Sequence, residues 1–309
     1  LPEMLVPLQV IAEADLPLVH NHDFSHLGAA TQAAQIEALQ RPENQPAFDF
    51  SQPPLWHSLL VKMASQQHLL LVSLPALCAD AGTVKLFIQE LYCVYAAETV
   101  EENSIETTLQ YADLAAWQNE LFTSKEGELG KAYWRNLDLG AHFNLKLPYE
   151  NCQPESLQFA PQVCTVDISS PILSKLDGFS QQCKTSSQTF LLICWQVLLW
   201  KFTGQSNLLI GTCFNGRNYE ELTDAFGLFA KHLPIICRLE GSMPLMQVVQ
   251  QVASTLNEAA KWQESFNWED FSEQYPDSSH VPFFPYCFEF DQWPEQCQGI
   301  RSHFLCITN

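Results

Sequence analysis

The stretch Leu69–Tyr95, LLLVSLPALCADAGTVKLFIQELYCVY, joins an apolar run to a helical pattern through a short turn. Its first part, Leu69–Leu74, predicts a buried strand, and Pro75 ends that strand because proline has no amide hydrogen to donate to a central ladder. From Thr83 onwards apolar residues recur every three or four positions, which predicts a helix with one buried face. The residues of that face are Val84, Phe87, Ile88, Leu91 and Tyr95. The turn at 75–82 therefore sits on a rigid scaffold, as functional loops often do.

The composition sets limits on the class of protein. The chain has 309 residues, of which 47% are hydrophobic, enough for one sizeable core or two lobes. A formal net charge of −20 argues against nucleic acid or an anionic membrane as a partner, because phosphates would be repelled. The start carries no signal-peptide pattern. The most apolar helical run, Phe190–Trp200, is far shorter than the ~20 residues that span a bilayer.

Cysteine usage indicates a reducing compartment. The 11 cysteines are scattered without a C-x-x-C pair, and many lie in apolar runs, as buried thiols of a cytoplasmic protein do. No zinc site is expected without paired ligands, and nothing predicts another metal. A cluster near the start has neither helical H-x-x-x-H spacing nor a known zinc pattern, so we interpret it as a polar loop with exposed histidines. Its members are His20, His22, Asp23 and His26.

Periodicity and helix breakers predict the remaining elements. Strands are expected at Leu8–Ile11, Leu55–Met63, His68–Leu74, Val163–Ile168, Leu208–Phe214 and from Phe283 onwards, with Leu55–Met63 and His68–Leu74 as antiparallel neighbours. Helices are expected at Gln32–Leu39, Tyr111–Trp117, Tyr133–Leu137, Leu173–Cys183, Gln188–Phe202 and Met246–Lys261. The fifth of these helices follows a Ser/Thr cap at 185–187, stops at Gly204, and is apolar nearly all round, which predicts burial.

Several motifs in a fixed order carry a resemblance to a known family. They are Tyr111-Ala112-Asp113-Leu114-Ala115-Ala116-Trp117, a glycine-to-arginine run from Gly211 to Arg217, Phe226-Gly227-Leu228-Phe229 and Leu233-Pro234. Together they resemble the condensation domains of nonribosomal peptide synthetases, which share a fold with chloramphenicol acetyltransferase. That family has a turn reading His-His-x-x-x-Asp-Gly. Here the two histidines fall on Pro75 and Ala76, the aspartate on Asp80 and the glycine on Ala81.

The resemblance implies an α/β fold of the α+β sandwich type. It consists of two chloramphenicol acetyltransferase-like lobes in a V shape with a tunnel between them. On this basis we expect an N-terminal lobe at 1–150 that carries the turn at 75–82, a polar linker at 151–162 and a C-terminal lobe at 163–309. Family members are longer at both ends, so we expect both lobes to be incomplete.

The resemblance also implies a chemistry and a set of partners. Condensation domains join two thioester-bound substrates, each carried on the phosphopantetheine arm of a carrier protein. The arm is a substrate tether, and no cofactor is expected to bind the domain directly. The expected partners are upstream and downstream carrier proteins and neighbouring synthetase domains such as adenylation domains. The second histidine of the turn acts as a base or positions charge, and Ala76 can do neither.

The candidate site residues follow from the same comparison. In the family the aspartate holds the turn through an ion pair, which assigns Asp80 a structural role with Arg217 as its candidate partner. Cys78 lies in the turn as a packing thiol or, alternatively, a nucleophile. Lys231-His232 replaces the family's Asn-Thr pair, so His232 either points to the tunnel or ends a strand at the surface.

The sequence is compatible with two functions. Loss of both histidines predicts a divergent, noncatalytic member that serves as a scaffold or recruitment platform. The alternative is an active domain that forms an amide or ester between carrier-bound acyl thioesters without the usual histidine. Proximity alone can supply roughly 7–11 kcal/mol of a barrier, so a missing base is not decisive.

Overall fold

The computed structural model describes residues 8–10, 19–41, 47–96, 109–137, 139, 145–148, 162–268 and 284–292. The chain divides into two compact units. The first takes in the described residues up to 115 together with 217–229, and the second takes in 116–216 and 230–292. The lobes predicted at 1–150 and 163–309 differ from this grouping and stay a prediction. The predicted linker at 151–162 lies outside the described residues except for Gln162.

The first unit contains a small three-stranded sheet. Its elements are β1 (Val19–Asp23), α1 (Ala29–Gln40), β2 (His57–Ala64), β3 (Gln67–Ser73) and α2 (Ala81–Ala96). The strand order is β1-β2-β3, with β1 parallel to β2 and β2 antiparallel to β3. His57 pairs with Ser73, so the predicted antiparallel neighbours and the helix after the turn are confirmed.

The second unit packs helices on a sheet of its own. After α3 (Tyr111–Thr123), which spans the boundary between the units, come α4 (Lys125–Arg135), α5 (Ser170–Gln182), α6 (Ser187–Thr203), β4 (Asn207–Phe214), β5 (Lys231–Arg238), α7 (Leu245–Trp262) and β6 (Cys287–Phe288). The strand order is β5-β4-β6. β4 is antiparallel to β5 and parallel to β6. A helix forms at each predicted place in this region, but α4 ends at Arg135 and overlaps the helix predicted at Tyr133–Leu137 in three residues only.

Alternation along β4 and β5 separates two faces of this sheet. One face presents fully buried residues to α6 and α7: Leu208, Ile210, Leu233, Ile235 and Cys237. On the other face Leu209 packs with Leu139 and Phe284 in a smaller cluster. A side chain at Gly211 would run into the ring of Phe284, so this position requires a residue without a Cβ.

The ends of α6 are set by local sequence, as predicted. The Ser186 Oγ accepts a hydrogen bond from the Thr189 amide at 3.1 Å, which satisfies a donor in the first turn. Gly204 ends the helix at φ +68°, a left-handed conformation that glycine adopts without steric cost. None of the helices in the described residues has the length and apolar content to cross a membrane.

Two predicted strands are wrong, and one segment predicted as a loop forms a strand. Residues 8–10 and Val163–Ile168 form no strand and are exposed, because their apolar alternation finds no partner strand among the described residues (Ile11 is not among them). Conversely, Val19–Asp23 forms β1, although we predicted a polar loop there. All five of its residues are exposed, so backbone pairing with β2 maintains this strand without an apolar face that a sequence could reveal.

Burial is also less complete than the apolar patterns predict. β3, expected to be buried, is half exposed, with Leu70 at 38% exposure. The first turns of α2 bury the predicted face, and Phe87 packs edge-on against Trp56 there. Further along the same face, Leu91 and Tyr95 are exposed. In α6, Phe202 is exposed as well. Apolar periodicity therefore locates these helices correctly but overstates how much of each is covered.

The cap of α6 gives a direct test of how its first turn is stabilised. We expect Ser186→Ala to lower the free energy of unfolding by about 1 kcal/mol, because the Thr189 amide loses its acceptor. The matched control is Ser169→Ala at the start of α5, where the serine side chain makes no cap hydrogen bond. Urea denaturation followed by circular dichroism measures both variants. Equal losses in the two variants would contradict the assignment.

Candidate functional site

The turn 75–82 links β3 to α2 in the first unit. Pro75 is buried, and its carbonyl accepts a hydrogen bond from the Cys78 amide at 2.9 Å, which closes the turn. Ala76 and Leu77 are exposed at its tip. Ala81, at the position of the family's glycine, is the first residue of α2. The turn thus keeps a compact shape, while the position of the second histidine carries only a methyl group.

Asp80 caps the helix that follows the turn. Its Oδ1 accepts a hydrogen bond from the Thr83 amide at 2.7 Å, and the Asp80 carbonyl accepts the Val84 amide at 3.1 Å. An aspartate is favoured at this position because it satisfies a free amide and its charge complements the helix dipole. The cap fixes the carboxylate at the N-terminus of α2.

The same carboxylate forms a buried ion pair with Arg217. Nη1 donates to Oδ2 at 2.9 Å and Nη2 donates to Oδ1 at 3.0 Å, the bidentate geometry of a strong arginine–carboxylate pair. The two side chains are only 7% and 3% exposed. Oδ2 also accepts the Phe229 amide at 2.8 Å. These four hydrogen bonds engage both oxygens of the Asp80 carboxylate and hold the surrounding residues in place.

Arg217 also contacts other residues of its own segment, 217–229. Its Nη2 donates to the Ala225 carbonyl at 3.2 Å, and its guanidinium lies 4.4 Å from the centre of the Phe229 ring, within reach of a cation–π contact. The planar guanidinium suits this place because it donates in several directions at once and stacks on an aromatic face. The predicted partners therefore meet at ion-pair distance.

Thr83 extends the network in a way that sequence reasoning missed. Its Oγ1 donates to the Gly227 carbonyl at 2.6 Å and accepts from the Gly227 amide at 3.0 Å and from Arg217 Nη2 at 2.9 Å. One hydroxyl thus satisfies both backbone groups of a residue 144 positions later. The spacing Asp-x-x-Thr indicates a cap, but nothing local indicates the contact with Gly227.

Tyr111 closes the network on its remaining side. Its ring meets Phe229 edge-on, with the ring centres 5.6 Å apart. Gly227 has φ +151°, and a side chain there would run into the Tyr111 ring, so both the backbone and the space require glycine. Burial, followed by the negative charge of Asp80 and by that of Cys78 when it is ionised, raises the pKa of the Tyr111 phenol, which therefore stays neutral at pH 7. The sequence placed Tyr111 only on a helix face.

Cys78 is a half-buried thiol in the turn. Burial raises its pKa, which lowers the thiolate fraction at pH 7. Nucleophilic cysteines require the opposite shift, supplied by a neighbouring cation or a helix N-terminus. The pKa shift is therefore in the direction of a packing thiol and against a nucleophile.

His232 lies in the second unit, within β5. It is half-buried and stands directly opposite Cys213 of β4. Burial lowers its pKa, although the charge of Glu289 acts in the other direction. Ligand atoms of Cys213, His232 and Glu289 all lie within 4.8 Å of one another, so these residues could hold a metal ion.

Lys231, the other replacement in that motif, belongs to the opposite face of the sheet. Its Nζ is 2.5 Å from Glu264 Oε2, which also accepts a hydrogen bond from Gln118 at 2.8 Å. The Lys231-His232 replacement therefore places a largely buried ion pair on one face and a potential ligand on the other.

Comparison with known proteins agrees with the motif order. A family model described as "Condensation domain" matches residues 3–303. Tyrocidine synthase 2 from Brevibacillus parabrevis is 31% identical over 205 residues, which cover 66% of this chain and 6% of that protein. Bacitracin synthase 1 from Bacillus licheniformis is 26% identical over 290 residues, which cover 92% of this chain and 5% of that protein. The chain thus spans a small part of the curated relatives it matches.

Solved structures show the same fold. The first condensation domain of the calcium-dependent antibiotic synthetase, in complex with a substrate analogue, aligns with a TM-score of 0.72 at 15% identity, over 90% of this chain and 63% of that one. The X-domain from teicoplanin biosynthesis aligns with a TM-score of 0.73 at 18% identity, over 90% and 62%. The X-domain in complex with OxyB aligns at 0.67 and 17% identity, over 86% and 58%. The predicted fold class is thereby confirmed.

The ion pair predicts a large effect from a small change. We expect Asp80→Asn to lower the free energy of unfolding by about 3–5 kcal/mol, because a buried arginine loses its counter-charge. Glu240→Gln, in the exposed pair with Arg238, is the control and should cost less than about 1 kcal/mol. Urea denaturation compares the two. Similar losses of unfolding free energy in the two variants would show that the buried pair stabilises the fold no more than the exposed pair does.

The hydroxyl of Thr83 has its own test. Thr83→Val keeps the shape but removes the partner of the Gly227 backbone, and we expect a loss of roughly 1–3 kcal/mol. Thr83→Ser keeps the hydroxyl and should lose about 0.8 kcal/mol, the value of one buried methyl group. Thermal and urea unfolding of both variants measure the difference. If valine costs no more than serine, the hydroxyl stabilises the contact no more than a buried methyl group does, and the assignment is wrong.

Proposed function

Because the chain belongs to the condensation-domain family, we propose that it serves a nonribosomal peptide synthetase as a noncatalytic scaffold or recruitment domain. The observation that carries this proposal is Ala76, an exposed methyl group at the position of the family's second histidine. A methyl group neither accepts a proton nor stabilises developing charge. Acid–base assistance of this kind is worth roughly 10²–10⁴ in rate, which the turn can no longer supply.

No neighbouring group in the turn takes over that role. Asp80 is buried and held by four hydrogen bonds, so it is not available as a base. Burial raises the pKa of the Cys78 thiol and of the Tyr111 phenol, which keeps both protonated near neutral pH. The proposal therefore rests on the loss of the histidine together with the lack of a substitute beside it.

Retention of the surrounding framework supports a scaffold rather than a decaying domain. The ion pair, the cap and the Thr83 network all depend on specific side chains, and each one holds the turn in shape. A domain of the same fold, the X-domain, is known in a complex with another protein, OxyB. The partners that we propose for this chain are carrier proteins, which bring substrates on phosphopantetheine arms, and adjoining adenylation domains. The proposed setting is the cytoplasm, which suits its many thiols.

One observation favours a second candidate, an active domain that forms an amide or ester by proximity alone. Ala76 and Leu77 are both exposed, so the tip of the turn is open to reactants. Correct placement of two reactants supplies roughly 7–11 kcal/mol without any proton transfer by the protein. A neutral amine delivered to a thioester needs little further help.

Intact-protein mass spectrometry of loaded carriers separates the two functions. The protein is mixed with the upstream and downstream carrier proteins of its own assembly line, each bearing its acyl group. We expect no gain of donor mass on the downstream carrier beyond a control without the protein. Carrier binding, measured by isothermal titration calorimetry, should persist.

Two variants sharpen this experiment. Ala76→His restores the family's residue, whereas Leu77→His puts the same group one position away as a control. Transfer by Ala76→His alone, or carrier binding without transfer by any form, supports the scaffold. Transfer by the unmodified protein above the control establishes the active alternative, and loss of all carrier binding overturns the recruitment role.

A further inference from the structure

Three ligand-type side chains lie in one row across the sheet of the second unit. Cys213 of β4 pairs directly with His232 of β5. On the other side of β4, the parallel register pairs Gly211 with Cys287 and Thr212 with Phe288, and continuing it by one residue sets Glu289 beside Cys213. The thiol is thus in the middle, with the imidazole on one side and the carboxylate on the other.

Strand alternation places all three side chains on the same face. This is the face that carries Leu209 and Gly211, opposite the face buried against α6 and α7. The buried Phe284 ring lies over Gly211, next to the row. Cys213 and His232 are half-buried and Glu289 is exposed, so the row is anchored in the sheet and open to solvent at one end.

From this row we propose a binding site for a divalent transition metal of the zinc class, with Cys213, His232 and Glu289 as its three protein ligands. Sulfur, imidazole nitrogen and carboxylate oxygen are the three donors that zinc accepts. A thiolate and a carboxylate together balance the charge of a divalent ion. Three protein ligands leave a fourth position for water, as in open zinc sites. This inference goes beyond the scaffold role and does not depend on it.

The distances suit a metal better than a proton relay. In a tetrahedral zinc site, ligand atoms are about 3.5 Å apart, given metal–ligand distances near 2.0–2.3 Å. The three atoms already lie within 4.8 Å of one another, so small side-chain rotations bring them to one ion. A cysteine–histidine–acid relay instead uses the two ring nitrogens on opposite sides of the imidazole, which would keep sulfur and carboxylate apart. Here sulfur and carboxylate are neighbours.

The sequence predicted no metal site because the three ligands are not paired along the chain. Residues 213 and 232 lie in β4 and β5 and residue 289 directly follows β6, so no spacing rule connects them. Only the strand register brings them together. The sequence identifies His232 only as a replacement within a motif. A metal held by His232 and its two neighbouring ligands would explain why a histidine occupies this position.

Cobalt substitution tests the site without any assay of activity. The protein, stripped with a chelator under reducing conditions, is titrated with Co²⁺ and then with Zn²⁺ alone. We expect one equivalent of Co²⁺ with the near-ultraviolet band of a cobalt–thiolate bond, displaced by Zn²⁺. Cys213→Ser should abolish the band. His232→Ala and Glu289→Gln each remove a ligand and should weaken binding by at least about 10-fold, the lower end of what loss of an outer-shell partner costs.

The control is Cys194→Ser, which removes an exposed thiol on α6 in the same unit. It should leave both the band and the affinity unchanged. Circular dichroism checks that each variant is folded, and Glu289→Gln, at an exposed position, keeps the test valid if Cys213→Ser unfolds. Absence of stoichiometric binding, a band that survives Cys213→Ser, or unchanged affinity in Glu289→Gln would each overturn the proposal.

Discussion

The bidentate pair between Asp80 and Arg217 is the constraint on which the first unit depends. Two buried charges are costly to desolvate, so their pairing requires close geometry and further hydrogen bonds on every side. The Thr83 amide, the Phe229 amide and the Ala225 carbonyl supply those bonds. The pair thereby fixes the start of α2, and with it the position at which the turn presents Ala76.

Elements set by neighbouring residues could be predicted from sequence, and elements set by distant ones could not. Ser186 and Gly204 define α6 locally, and the β2–β3 pairing follows from two adjacent apolar runs. The strand predicted at Val163–Ile168 failed because alternation says nothing about whether a partner strand exists. The partnership of Asp80 with Arg217 came from the family resemblance, since 137 residues separate the two.

The turn combines a small exposed side chain at Ala76 with a buried network around Asp80. Ala76 is exposed at the tip of the turn, so a side chain there can be exchanged without disturbing the core. The ion pair below it cannot be removed so easily, because each partner would be left as an uncompensated buried charge. The shape of the turn therefore depends on the buried network and not on the residue at its tip.

The insertion of residues 217–229 between β4 and β5 has a consequence for the order of folding. During synthesis, Asp80 leaves the ribosome well before Arg217, and the 137 residues between them take on the order of 10 s to make. Until Arg217 has been synthesised, the Asp80 carboxylate at the start of α2 cannot form the ion pair that allows its burial. The core of the first unit therefore cannot be completed before residues 217–229, which follow β4 in the chain, have been synthesised.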